Sequence, residues 1–177
     1  AAASGMGTVA LQLAKIWGAR VIATGSTEDK LDLARTIGAD EVVNYTTADF
    51  EEEVKGLTDG HGVDVVLEAL GGEVLEKSLR CLAPLGRLVT YGNISGKAAS
   101  FHTANFFRSN QSIIGLGMGI APRGGLDLQG AMAEMVPMIQ SGRLRLVVDR
   151  IVPMSEVGEV HSHLSGRGAM GKVILTP

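Results

Sequence analysis

Short apolar runs alternate with stretches of helical periodicity along the whole chain. After a small-residue opening, Val9, Leu13, Ile16 and Trp17 fall at helical spacing, which predicts a helix over residues 6–17 closed by Gly18. Residues 20–24 then read as a short buried strand. Hydroxyls and acids at 26–29 mark a second helix start, with Leu31, Leu33, Ala34 and Ile37 as its apolar stripe and Gly38 as its stop. A strand over 41–44, a helix over 48–57 and a strand over 63–67 follow. The last is almost wholly apolar, the pattern of a strand covered on both faces. A helix over 73–82, a strand over 86–91, a short helix carrying Phe106 and Phe107, and a strand over 112–117 complete the alternation.

That alternation at short spacing predicts an α/β fold, a doubly wound parallel sheet with right-handed crossovers and helices on both faces. Beyond the strand at 112–117 the rhythm changes. A longer helix over 126–139, a strand over 146–152, a helix over 155–164 and a last strand over 172–175 are expected. The domain organisation read from this is residues 1–142 as the α/β domain and 143–177 as a segment packing toward a second, upstream domain. A turn of the kind seen at 2–7 ordinarily follows a central strand, so the first strand is expected to be largely missing, with its remainder upstream.

Composition narrows the classes. The chain has 177 residues, 45% of them hydrophobic, and a net charge of −3. That is a globular domain without the basic footprint of a nucleic-acid binder. One cysteine, Cys81, offers neither a disulfide framework nor a cysteine-rich zinc site. His161 and His163 read as solvated helix positions. No apolar run reaches membrane-spanning length and no leader pattern is present, so a cytoplasmic protein with no membrane partner is expected.

The candidate chemistry starts at the opening turn. Ser4-Gly5-Met6-Gly7 leads straight into a helix, whose free N–H groups and positive dipole end suit a diphosphate. The dinucleotide fingerprint reads Ala2-x-Ser4-x-x-Gly7, with two glycines replaced by other small residues. A cofactor with free ribose hydroxyls calls for an acid at the end of the second strand. Here that place reads Thr24-Gly25-Ser26, and no acid comes before Glu28. Ser26 offers a hydroxyl and Lys30 a cation to a phosphorylated ribose. Ser26 is equally placed to cap the helix, and Lys30 to be a solvated lysine.

Several stretches in register carry a resemblance. Residues 5–15 (GMGTVALQLAK), 26–31 (STEDKL), 37–45 (IGADEVVNY), 62–66 (GVDVV), 86–89 (GRLV) and 171–175 (GKVIL) resemble the cofactor half of the medium-chain dehydrogenase/reductase superfamily. The likeness is greatest to its zinc-independent, zeta-crystallin-like quinone oxidoreductase branch. Ser4 departs from the usual glycine but stays small and can donate to phosphate.

The resemblance implies a Rossmann-type fold and NADPH as cofactor. It places Gly5, Met6 and Gly7 at the diphosphate, and Ser26, Lys30, Tyr45 and Arg167 around the adenosine and its 2′-phosphate. Leu70 and Gly71, then Tyr91, Gly92 and Asn93, then Gly115 and Gly117, lie on the path to the nicotinamide. It also implies that the catalytic groups, and any zinc ligands, belong to an upstream GroES-like domain, so no catalytic or metal-binding residue is assigned in this chain. The implied activity is hydride transfer from NADPH to a quinone or α,β-unsaturated carbonyl. An enoyl-reductase module of a polyketide or fatty-acid synthase shares the same cofactor half, and a non-catalytic NADPH-binding module is a third reading. A methyltransferase on a similar sheet would want the acid that is missing after the second strand. The apolar, uncharged edge at 112–119 predicts a homodimer.

Overall fold

The computed structural model describes residues 2–120, 123 and 125–177. Ala1, the first residue of the expected strand remnant, lies outside them. The chain divides into two compact units, residues 1–48 with 129–177, and residues 49–128.

The first unit contains α1 (Gly7–Ile16), β1 (Ile22–Gly25), α2 (Glu28–Thr36) and β2 (Glu41–Asn44). After the excursion to the other unit it continues with α6 (Leu128–Gln140), β6 (Val148–Pro153), α7 (Val157–Ser165) and β7 (Lys172–Thr176). β1 pairs parallel with β2, and β6 with β7. Leu11, Ala23 and Ala34 form the centre of its core, with Val21, Ile37 and Val42 packed around them. Residues 2–4 run beside β1 on one side and the residue preceding β7 on the other. Ala2 N donates to Thr24 O at 3.3 Å, and Gly171 N donates to Ala3 O at 2.8 Å. This ties the opening turn to both ends of the chain.

The buried face of α1 differs from the expected stripe. Thr8, Leu11 and Gln12 are buried, whereas Trp17 is 65% exposed. The cause is Gln12. Its amide donates to Arg145 O and its oxygen accepts from Arg145 N, at 2.8 and 2.9 Å. A polar side chain that satisfies the backbone of an extended segment is as good a core residue as an apolar one, and it turns the helix accordingly. Likewise α2 starts at Glu28 after Thr27, but no side chain caps it; Ser26 is not used as a cap.

The second unit contains α3 (Phe50–Leu57), β3 (Val63–Glu68), α4 (Gly72–Arg80), β4 (Leu82–Thr90), α5 (Thr103–Ser109) and β5 (Ser112–Gly115). Its sheet is parallel in the order β3-β4-β5. Asp49 caps α3 by accepting from Glu51 N at 3.0 Å. Leu79, Leu82 and Leu88 make the core, joined by Val66, Phe106 and Ile113. β3 is not covered on both faces as its apolar run suggested. Val66 faces the core, but Val65 and Leu67 are 45% and 51% exposed. In a strand alternate side chains point to opposite faces, and only one face of β3 is covered here.

Candidate functional site

The opening turn is shaped by three contacts. Ser4 Oγ accepts from Gly7 N at 3.0 Å, so the serine that replaces a glycine fastens the start of α1 while its own proton stays free to donate. The Met6 N–H meets no acceptor among the described residues, whereas Ser4 forms a parallel β-bridge with Gly171 that turns the Gly5 N–H toward that residue. Gly5 lies directly under a lysine side chain: a Cβ there would stand 2.5 Å from Lys172 Cε and 3.0 Å from its Nζ. The lysine stem therefore lies across the turn and sets its ammonium beside it. Lys172 was not among the residues expected from sequence. Its signal lay in the last stretch of the resemblance, where a glycine and a lysine open the final strand.

At the end of β1 the structure brings together residues far apart in sequence. Lys30 Nζ lies 3.5 Å from Ser26 Oγ and donates to Arg167 O at 2.5 Å. Arg167 is a non-glycine residue in the left-handed region, at φ +58. Tyr45, half-buried, follows β2, and its N–H donates to Gly25 O at 3.1 Å. Glu28, the first acid after β1, accepts from Asn44 and faces Arg35. Ser26, Lys30, Tyr45 and Arg167 thus share one end of the β1–β2 pair. Neither Lys30 nor Arg167 forms an ion pair among the described residues. The Lys30 ammonium is thus held on a neutral carbonyl and keeps its charge uncompensated among the described residues.

In the second unit the expected loops are laced to one another. Glu68, 4% exposed at the end of β3, accepts from Leu70 N at 2.6 Å and from Gly71 N at 3.0 Å. Tyr91 N donates to Glu68 O and Ile94 N to Ala69 O, both at 2.9 Å. Gly71 has φ +75, and a Cβ on it would lie 2.1 Å from Asn93 Oδ1. Leu70, Gly71, Tyr91, Gly92 and Asn93 therefore form one hydrogen-bonded ledge at the carboxyl ends of β3 and β4. Burial, and then the charge of Glu68, push the Tyr91 hydroxyl up from its ordinary pKa. Glu68 was also missed from sequence, although an acid closing an apolar run was its mark. Gly115 and Gly117 have open space where a side chain would go, so nothing in this chain demands glycine there.

Burial pushes the Cys81 thiol up to about 11, which leaves it a packing residue. The histidine pair departs from expectation. His163 is only 21% exposed and its Nε2 lies 2.7 Å from Asp149 Oδ2, because α7 packs its ring inward; His161 stays exposed. No group of three or more His, Cys, Asp or Glu side chains among the described residues could hold a metal ion. No helix of the described chain is long and apolar enough to cross a membrane.

The profile of the zinc-binding dehydrogenase family matches residues 5–141. A 2-haloacrylate reductase of Burkholderia sp. is 35% identical over 181 residues, which is 100% of this chain and 54% of that protein. The crystal structure of Escherichia coli quinone oxidoreductase complexed with NADPH superposes with a TM-score of 0.87 at 31% identity, covering 100% of this chain and 55% of that one. A highly reducing polyketide synthase of Leptosphaeria maculans is 32% identical over 181 residues, 99% of this chain but 7% of the synthase. The chain spans about half the length of the two reductases.

Proposed function

The chain belongs to the zinc-binding dehydrogenase family, and from that premise we propose that it is the NADPH-binding portion of an oxidoreductase that passes hydride to a quinone or an α,β-unsaturated carbonyl. The observation that carries this reading is the Ser26–Lys30–Arg167 cluster at the end of β1, where a ribose-binding acid is absent. It suits a 2′-phosphate: a hydroxyl, a half-buried ammonium and a guanidinium, with the Glu28 carboxylate engaged by Asn44 and Arg35. The free Met6 N–H, the Ser4 hydroxyl and Lys172 suit the diphosphate.

The reduced nicotinamide supplies the hydride. This chain's residues do the holding. The Glu68 carboxylate fixes the Leu70–Gly71 turn, and Asn93 packs on Gly71, so the ledge presents a rigid edge for the nicotinamide end. The described residues offer no group of three or more His, Cys, Asp or Glu side chains that would hold zinc.

Several further features belong to the same reading. Leu146, Ile151 and Met154 are 58%, 63% and 54% exposed, which supports 143–177 as a segment packing on an upstream GroES-like domain that carries the catalytic groups. β5 pairs only with β4 among the described residues, and Ile114 on it is 45% exposed, which supports a homodimer through residues 112–119. A single buried cysteine suits a cytoplasmic setting.

The synthase match favours a second reading, an enoyl-reductase module. Assay of the intact protein with NADPH and a panel of quinones, enones and acyl-thioester enoyl substrates tests both. Turnover of free quinones or enones supports the first, turnover of the thioesters alone the second, and NADPH binding without any turnover overturns both.

A further inference from the structure

We infer that Asp149 and His163 are positioning residues for cofactor selectivity: together they prop the loop after α7 so that Arg167 faces Lys30. The inference rests on the reading of Lys30 and Arg167 as the 2′-phosphate site.

The loop has little else to fix it. α7 ends at Ser165, and Gly166 and Arg167 close it with backbone bonds to Ser162 and Leu164. Arg167 then sits in the left-handed region, which is unfavourable for a non-glycine residue and persists only where neighbours enforce it. On one side the enforcing contact is Lys30 on the Arg167 carbonyl. On the other it is the imidazole of His163. A Cβ on Gly168 would stand 2.7 Å from both Cε1 and Nδ1 of that ring, so the Gly168 backbone lies flat against it. Gly168 N also donates to His163 O at 3.1 Å.

The ring is in turn fixed by β6. His163 Nε2 donates to Asp149 Oδ2 at 2.7 Å, with both side chains largely shielded, at 21% and 15% exposure. Arg150 Nε stands 3.6 Å from the same carboxylate oxygen and steadies it. The order of support is therefore Asp149, His163, Gly168, Arg167, Lys30, Ser26. Gly168 is not in the left-handed region, so glycine is required there by the ring and not by the backbone.

Two variants of the intact protein approach this support from opposite sides. Asp149→Ala frees the ring, and Gly168→Ala pushes the loop off it. Each is expected to weaken NADPH binding about five- to tenfold, the worth of one misplaced charged hydrogen-bond donor, and NADH binding less than about twofold. Asp149→Asn, which still accepts from Nε2, restores NADPH affinity to within about twofold of wild type. If Asp149→Ala fails to fold, Gly168→Ala carries the test. Equal weakening of both cofactors, or none, overturns the inference. Lys30→Ala separates the two levels. If it abolishes the NADPH preference while Asp149→Ala and Gly168→Ala keep it, the prop fails and the site stands. If Lys30→Ala keeps the preference, the 2′-phosphate site itself fails and the prop falls with it.

Discussion

Lys30 Nζ donates a 2.5 Å hydrogen bond to the carbonyl oxygen of Arg167, 137 positions further along the chain. A carbonyl carries no net charge, so this bond orients the ammonium and ties it to the Arg167 backbone without neutralising it. A carboxylate in the same place would have closed the site to phosphate.

Arg167→Gly separates charge from backbone strain. Glycine adopts the left-handed conformation without penalty, so thermal stability is expected to hold or rise slightly. The guanidinium is lost, and NADPH affinity is expected to fall about 10-fold with NADH affinity unchanged. Paired melting curves and cofactor titrations check both halves.

Lys172→Ala should behave differently. Its ammonium lies beside the opening turn and not at the ribose end. Both cofactors share the diphosphate, so both should weaken by a similar factor, about five- to tenfold, with the preference between them intact. A selective loss of NADPH in the same titration would move Lys172 to the wrong site.

These two residues show what was legible in the sequence. Ser26 and Lys30 could be placed by eye, because a short strand-to-helix turn fixes their positions by local geometry. Tyr45 and Arg167 came only through resemblance, and the structure puts both at that same strand end. Lys172 and Glu68 were not found. One acts because β7 begins beside the opening turn, the other because the loops after β3 and β4 interlock, and neither adjacency leaves a local pattern. The face of α1 was misjudged for a related reason: Gln12 looks like a surface residue until Arg145 is beside it. The α/β alternation itself, with parallel strands and helices between them, was plain from periodicity alone.

Thr8 offers a stability test. Its hydroxyl is buried at 1% exposure with no hydrogen-bond partner among the described residues. Thr8→Val keeps the shape and removes the orphaned group, and is expected to stabilise by about 1 kcal/mol. Urea unfolding measures this. A loss of stability would show that the hydroxyl is satisfied in solution.

Glu51 sets an acid sensitivity in the second unit. Burial pushes its carboxyl up, but hydrogen bonds from Lys55 and Arg80, at 2.7 and 2.8 Å, outweigh it and hold the pKa below the ordinary value of 4.5. A group with a lowered folded pKa contributes stability above its unfolded value and loses it as pH falls through the folded one. Glu51→Gln should therefore be less stable than wild type at pH 7, and the gap should close as pH drops below about 4.5. Unfolding free energies for both proteins across pH 7 to 3 check the sign.

The central claim is that this chain grips a phosphate on the ribose. The most direct measurement is calorimetric titration of the intact protein with adenosine 2′,5′-bisphosphate against adenosine 5′-monophosphate, in wild type and in Lys30→Ala. The account predicts that the bisphosphate binds at least about 10-fold more tightly to wild type, and that the difference collapses in the variant. Equal affinity for the two nucleotides in wild type, or a preference that survives the loss of Lys30, would contradict it.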